Sequence, residues 1–162
     1  MPRYPSRIVC LTEETTETLY LLGEGDRVVG VSGYTVRPPE ARNKPRVSAF
    51  INARFDKIEA LSPDLILAFS DLQADIAAEL VRRGPNVLVF NQRSVPEILQ
   101  MIGMLGGLIG CSDRADALAS RLEADPDWGQ TRVMRRTRVR VRRWVVPKSD
   151  SGTTRLQVVR RR

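Results

Sequence analysis

The stretch LILAFSDLQADIAAELVRRGPNVLVF, residues 65–90, decides the fold. It begins with an apolar run at residues 65–69 and ends with a second at residues 86–90, and each run has the length of a buried β-strand. Between them, residues 71–83 repeat apolar positions at helical spacing, which predicts an amphipathic helix that ends at Gly84. The apolar stripe of this helix consists of Leu72, Ile76, Ala77 and Leu80. Strands without a polar face, joined by a helix, are typical of parallel neighbours in a covered sheet.

The same alternation extends in both directions from this unit. Apolar runs at residues 7–12 and 27–32 predict two earlier strands. Further helices are expected at residues 12–22, 55–61, 94–110 and 112–124. Residues 33–48 contain three prolines and are expected to form a loop. The sequence therefore predicts an α/β fold in which a parallel sheet is flanked by helices.

The fold class also predicts where a ligand would bind. In parallel sheets with helical crossovers, ligands bind at the loops beyond the carboxyl ends of the strands. In this sequence those loops are residues 12–16, 32–37, 69–73 and 91–94.

Charge is distributed unevenly along the chain. Residues 126–162 contain 12 Lys and Arg against 2 Asp and Glu, whereas residues 1–125 contain 14 basic and 17 acidic residues. The net charge of +7 therefore originates in the carboxyl-terminal part. We expect a folded domain over residues 1–125 and a basic tail over residues 126–162 that does not continue the fold.

Residues needed for common catalytic chemistry are missing. The chain has no histidine and two cysteines, Cys10 and Cys111. It therefore lacks the usual general base, and this composition argues against a zinc site. Neither a dinucleotide-binding glycine turn nor a P-loop follows the first strand. The sequence thus argues against an enzyme and predicts no cofactor. We expect both thiols to be buried, and a disulfide between them is the alternative.

Three motifs occur in a characteristic order. VSGYTVRPPEAR at residues 31–42 is followed by PRV at residues 45–47 and by DKIEALSPDLILAF at residues 56–69. In order and spacing this set resembles the periplasmic cobalamin- and ferric-siderophore-binding proteins, over residues 7–125. The resemblance implies a single lobe of a two-lobe fold, with the ligand held between the lobes. Residues 113–125 would begin the helix that connects them.

The resemblance also implies contact residues. Tyr34 corresponds to an aromatic contact position of the cobalamin binders, and its alternative role is a loop residue packed on the two following prolines. Glu14 and Thr15 lie in a loop that faces the cleft, and a solvated helix start is the alternative there. Asp56 corresponds to an acidic residue that meets arginines on the membrane transporter, and a solvated carboxylate is again the alternative.

Two further pairs of residues depart from the family pattern. Phe69 and Ser70 stand where cobalamin binders often carry Trp and then a polar residue. Phe69 provides an apolar face but lacks the indole N–H of Trp. This departure leaves the identity of the ligand open. Phe69 could equally be a buried residue at the end of a strand. Phe50 and Ile51 stand where a glycine-rich stretch lines the cleft, and they form either an apolar floor for the ligand or part of the core.

The family continues with a second lobe, whereas residues 126–162 are rich in arginine and valine. Three interpretations stay open for this segment. It is an out-of-frame translation of a GC-rich gene, or a basic tail that binds nucleic acid or acidic lipid, or a divergent edge strand with a disordered end. In the second case Trp128 and Trp144 could stack on bases.

These observations predict a single-lobe substrate-binding protein that binds a corrinoid or ferric siderophore without chemistry. Its partner would be the permease of an ABC transporter if the chain is exported. Residues 1–6 are too short and polar for a signal peptide, and no apolar run approaches the ~20 residues of a membrane span. We therefore expect a cytoplasmic chain, although the family is usually periplasmic or membrane-anchored. Nucleic-acid binding through the tail and a non-functional truncated gene product are the alternatives.

Overall fold

The computed structural model describes residues 3–125, which alternate between strands and helices. The strands are β1 (Ile8–Cys10), β2 (Val28–Ser32), β3 (Arg46–Ala49), β4 (Asn52–Ala53), β5 (Leu65–Phe69) and β6 (Asn86–Phe90). The helices are α1 (Glu13–Leu21), α2 (Phe55–Ala60), α3 (Ala74–Arg82), α4 (Val95–Ile109) and α5 (Ser112–Ala124). The interpretations of residues 126–162, including Trp128 and Trp144, lie outside the described residues.

The strands form one sheet in the order β4-β3-β2-β1-β5-β6. Every neighbouring pair is parallel except β3 and β4, which form an antiparallel hairpin. The predicted α/β fold with a parallel sheet flanked by helices is confirmed, and β4 adds one short antiparallel strand at an edge. The chain winds outward from β1 to β3 and then returns to β5 on the other side of β1. This reversal between β1 and β5 is the position where ligands bind in such sheets.

The sheet separates two hydrophobic layers. Successive side chains of a strand point to opposite faces, so Ile8 and Cys10 pack into one layer and Val9 into the other. The first layer contains the buried sides of α1, α4 and α5, and the second contains those of α2 and α3. All three residues of β1 are fully buried. The central strands are therefore continuous apolar runs because both of their faces are covered.

The loop predicted over residues 33–48 is wrong at its carboxyl end, where Arg46–Ala49 forms β3. Only two of these four residues, Val47 and Ser48, are buried, so the apolar pattern that identifies a strand is almost absent. Pairing with β2 fixes the segment instead: the N–H of Gly33 donates to the carbonyl of Ser48 at 2.6 Å. Main-chain hydrogen bonding to an existing strand thus outweighs the weak local signal.

Both cysteines are buried and free, as expected. Desolvation by burial raises the pKa of the Cys10 thiol to about 11, and burial also raises the pKa of Cys111. A thiol must lose its proton to act as a nucleophile or metal ligand. At neutral pH both cysteines therefore serve as packing residues.

Helices α4 and α5 pack closely at the end of the described chain. The cap predicted at Ser94 is confirmed, because its hydroxyl accepts from the N–H of Glu97 while the Glu97 carboxylate accepts from the N–H of Ser94. Helix α4 ends at Gly110, which adopts a left-handed conformation with φ +78°. At the contact between the two helices, Gly106 lies directly against Ala115.

We expect the substitution Gly106→Ala to destabilise the protein by about 1–3 kcal/mol, because a Cβ there would overlap the Cβ of Ala115. Gly103 lies on the same helix, and a Cβ there would meet nothing within 4 Å. Gly103→Ala should therefore stabilise the protein by about 0.5–1 kcal/mol through helix propensity. Urea unfolding of both variants measures the difference. Equal shifts of the two midpoints would show that the helices do not pack at Gly106.

Candidate functional site

Five parallel strands end at the same edge of the sheet, and the loops that follow them meet there. We call this surface the carboxyl edge; it comprises residues 11–15, 33–37, 50–51, 69–73 and 91–94. It contains the loops predicted from the fold class, together with the turn between β3 and β4, whose residues Phe50 and Ile51 the resemblance associated with the cleft.

Large hydrophobic side chains on this edge are exposed to solvent. Ile51 is 70% exposed, Leu72 59%, Tyr34 57% and Val36 54%. They come from the loops that follow β2, β3 and β5. Exposed apolar side chains gathered on one surface are typical of a contact surface for a ligand or partner.

The predicted contact residues separate into exposed and buried ones. Besides Tyr34 and Ile51, Glu14 is exposed, and Phe50 and Phe69 are half-buried. The interpretation of Ile51 as a core residue is wrong, because the β3–β4 turn carries it outward.

Thr15 and Ser70 are each 1% exposed. The hydroxyl of Thr15 lies 3.3 Å from that of Thr12, and the hydroxyl of Ser70 accepts from the N–H of Leu72 at 3.2 Å. Both hydroxyl groups therefore have local hydrogen-bond partners beneath the exposed surface of the edge.

Gln73 is a residue of this edge that the sequence did not single out. Its side chain is fully buried. The Nε2 group donates to the carbonyls of Phe50 at 2.8 Å and of Leu11 at 3.3 Å, and Oε1 accepts from the N–H of Phe69 at 3.0 Å. One amide thus joins the loops after β1, β3 and β5 and uses its donors and its acceptor in doing so. Its position fixes the exposed residues around it.

The predicted apolar stripe of α3 is wrong at Leu72, which is exposed while the neighbouring Gln73 is buried. Residues Asp71–Gln73 form a turn of 3-10 helix before α3 begins. A 3-10 helix turns the chain further per residue than an α-helix. Side chains in this turn therefore point in directions that an α-helical projection does not predict.

Ser70 holds the turn in place with an unusual backbone conformation. Its dihedral angles are φ 61° and ψ 173°, a combination that side-chain-bearing residues rarely adopt. Its N–H donates to the carbonyl of Phe90 at 2.7 Å, so the strain is stabilised by a hydrogen bond between the ends of β5 and β6.

Charge varies along the carboxyl edge. Near β1 and β2, Glu13, Glu14, Glu17, Val36 and Arg37 line a cavity of about 250 Å³. Burial raises the pKa of the Glu13 carboxyl, and the negative charge of Glu14 raises it further. Arg37 and Glu17 form an ion pair of 3.5 Å. The central part of the edge is therefore acidic.

Beyond β5 and β6, Arg93 covers the ring of Phe69. The guanidinium carbon lies 5.7 Å from the ring centroid, within the range of a cation–π contact. Arg93 also pairs with Asp71 at 2.8 Å. The ring of Phe69 therefore lies beside a charged and hydrogen-bonding group.

Asp56, the predicted transporter contact, lies in the first turn of α2 and is exposed. It forms no ion pair or hydrogen bond with another residue of the described range. Its sequence neighbours Arg54 and Lys57 are exposed cations.

Within residues 3–125, no group of three or more His, Cys, Asp and Glu side chains is arranged to hold a metal ion. Over the same residues, no helix has the length and apolar character to cross a bilayer.

Comparison with known proteins points to a single family. The family model described as a periplasmic binding protein matches residues 8–142. An uncharacterized ABC transporter substrate-binding lipoprotein of Bacillus subtilis is 34% identical over 125 residues, which is 75% of this chain and 40% of the relative.

Two solved structures share the architecture. The periplasmic vitamin B12 binding protein of Vibrio cholerae is 29% identical with a TM-score of 0.67, over 72% of this chain and 46% of its own. The periplasmic heme-binding protein of Roseiflexus sp. RS-1 is 26% identical with a TM-score of 0.68, over 74% and 46%. The chain thus spans less than half the length of each of these three relatives.

Replacing Gln73 by leucine is expected to destabilise the protein by about 3 kcal/mol, because two carbonyls and one N–H lose their buried partner. Hydrogen exchange in the turn at residues 50–51 should accelerate as well, since its anchor is removed. Gln100 is an exposed glutamine on α4, and Gln100→Leu should stay within about 0.5 kcal/mol of the parent. Similar unfolding midpoints for the two variants would contradict the role of Gln73.

The conformation of Ser70 gives a second expectation. Ser70→Gly should be more stable than Ser70→Ala by about 1 kcal/mol or more, because only glycine adopts these dihedral angles without strain. Ser120 is an exposed residue within α5, where alanine should be more stable than glycine by about 1 kcal/mol. Thermal unfolding of the four variants tests whether the order of stability reverses between the two positions.

Proposed function

The chain belongs to the periplasmic binding protein family, and we propose that residues 3–125 form one ligand-binding lobe for a corrinoid or a ferric siderophore in ABC-transporter uptake. The family consists of non-catalytic substrate-binding proteins. The observation that carries the proposal is the set of exposed apolar side chains at the carboxyl edge, where Tyr34, Ile51 and Leu72 come from three different loops.

The shape of the edge suits a large ligand. Corrinoids and ferric siderophores are bulky and partly apolar, so they need a broad preformed surface with aromatic faces and some polar groups. Gln73 ties together the loops that carry Ile51 and Leu72, while Tyr34 and Val36 lie in the loop after β2. The charged groups of Glu14, after β1, and of Arg93, after β6, lie on the same edge. Two relatives bind vitamin B12 and heme, which are both flat macrocycles.

A single lobe contacts one side of such a ligand. In a two-lobe protein the ligand is enclosed from both sides, whereas the present chain spans less than half the length of its relatives. The loss of freedom on association is a fixed cost, so half of the contacts provide much less than half of the binding free energy. We therefore propose weak binding by this chain.

Tyr34 offers a way to distinguish a corrinoid from a heme. The chain contains no histidine, and Tyr34 is the residue of the carboxyl edge whose side chain can serve as an axial ligand of heme iron. A corrinoid would use the ring of Tyr34 as a contact surface and would not need its hydroxyl. We propose that the ring of Tyr34 is a contact surface for a corrinoid.

We also propose that Asp56 contacts the permease, as the resemblance implies. The support is its exposure on α2 and the freedom of its carboxylate from ion pairs within residues 3–125. The neighbouring Arg54 and Lys57 add two positive charges to the surface around this carboxylate. The complementary surface of the permease is then expected to contain acidic as well as basic residues.

The purified 162-residue chain is expected to bind cyanocobalamin with a Kd weaker than about 1 µM, because one lobe supplies half of a site. Tyr34→Ala should weaken the binding by about threefold to tenfold through the loss of an aromatic contact. Tyr4 precedes β1 at the opposite edge of the sheet and is 38% exposed, so Tyr4→Ala should leave the affinity unchanged. Titration calorimetry at high protein concentration measures all three constants.

A sub-micromolar Kd, or an equal effect of the two alanine variants, would contradict this proposal. Tyr34→Phe should retain cyanocobalamin binding. If instead the chain binds hemin and the Soret band of the complex disappears in Tyr34→Phe, the ligand is a heme held through the tyrosine oxygen.

A further inference from the structure

A groove separate from the exposed apolar residues opens beside the β3–β4 hairpin. It lies between this hairpin, the start of α2 and the loop after β2, and has a volume of about 600 Å³. We call it the basic groove and define it by Gly33, Arg46, Ser48, Asn52, Arg54 and Lys57. A volume of this size accommodates a small organic molecule.

Three cations line the basic groove, and no acidic side chain of the described residues lines it with them. Arg46, Arg54 and Lys57 form no salt bridge or side-chain hydrogen bond with any other residue in the range 3–125. Several cations elsewhere on the surface are paired with acidic residues. Arg83, for example, pairs with Glu59 at 2.7 Å and with Glu79 at 2.8 Å. No ion pair within residues 3–125 therefore neutralises the three cations, although the exposed carboxylate of Asp56 lies between Arg54 and Lys57 in the sequence.

Ser48, one of the residues that line the groove, carries a buried polar atom. Ser48 is 7% exposed, and its hydroxyl oxygen has no hydrogen-bond partner among the described residues. Its main-chain carbonyl is occupied by the N–H of Gly33. A buried hydroxyl without a partner costs free energy, and a ligand oxygen in the groove would accept the hydrogen bond that this hydroxyl can donate.

The residue types define the chemistry of the ligand. Like charges held close together repel one another, and an anion placed among them removes that repulsion. Arginine side chains bind the oxygens of carboxylates and phosphates in a forked geometry, while lysine adds a compact charge. The groove is larger than a single oxyanion, so the anionic group would be part of a larger molecule.

We propose that the basic groove is a second binding site, in which Arg46, Arg54, Lys57 and Ser48 hold the carboxylate or phosphate group of a small molecule. The groove contains Gly33 of the carboxyl edge but none of its exposed apolar residues, and its Arg54 and Lys57 flank the proposed permease contact Asp56.

The test is a titration of the full 15N-labelled chain with inorganic phosphate and, separately, with citrate, at constant ionic strength. Saturable amide shifts are expected at Gly33, Ser48 and Asn52 at anion concentrations up to about 10 mM. The anion that binds more tightly identifies the group as phosphate or carboxylate. Because the signals are resolved by residue, binding to the 12 basic residues of residues 126–162 is distinguished from binding in the groove.

Two variants locate the site. The double substitution Arg54→Gln with Lys57→Met should weaken binding at least tenfold, whereas Arg82→Gln with Arg121→Gln removes the same charge from α3 and α5 and should leave it unchanged. Ser48→Ala should weaken binding about threefold to tenfold without lowering stability, because its hydroxyl has no partner to lose in the free protein. Unsaturable shifts, or equal losses in the two double variants, would overturn the proposal.

Discussion

The side-chain amide of Gln73 holds the carboxyl edge together. The sheet order brings the ends of β1, β3 and β5 to one edge, but strand ends alone do not fix the loops beyond them. Gln73 does so from a fully buried position, with hydrogen bonds to Leu11, Phe50 and Phe69. A buried amide with all its partners in place is rigid, because any displacement leaves a polar group unpaired in a low-dielectric interior. Ile51 and Leu72, which lie in the loops that Gln73 holds, can therefore belong to a preformed surface.

The sequence predicted the central part of the fold because burial on both faces leaves a clear signal. Strands β1 and β5 are continuous apolar runs, and the helices between strands carry apolar stripes. Strand β3 gives no such signal, because exposed Arg46 and Ala49 flank its buried pair and only pairing with β2 defines it. Leu72 is exposed and Gln73 is buried, the reverse of the helical expectation, because a 3-10 turn precedes α3. The position of the candidate site thus followed from the predicted topology. The hydrogen bonds that hold its loops could not be predicted, because they join residues distant in the sequence.

Acidic and basic side chains gather on different parts of the lobe, and the composition of the chain does not show this. Residues 1–125 contain slightly more acidic than basic residues, yet the acidic side chains gather near α1 while three unpaired cations gather beside β4. The two regions therefore favour groups of opposite sign. The net charge of the chain describes neither of them.

The protonated state of the buried cysteines makes this protein well suited to site-directed labelling. With a pKa of about 11 for Cys10, only about one molecule in ten thousand carries the reactive thiolate at pH 7, and Cys111 is likewise buried with a raised pKa. Thiol-specific fluorophores or spin labels would therefore attach almost solely to a cysteine engineered into an exposed loop. Distances between loops could then be measured in solution without first removing the native thiols from the core.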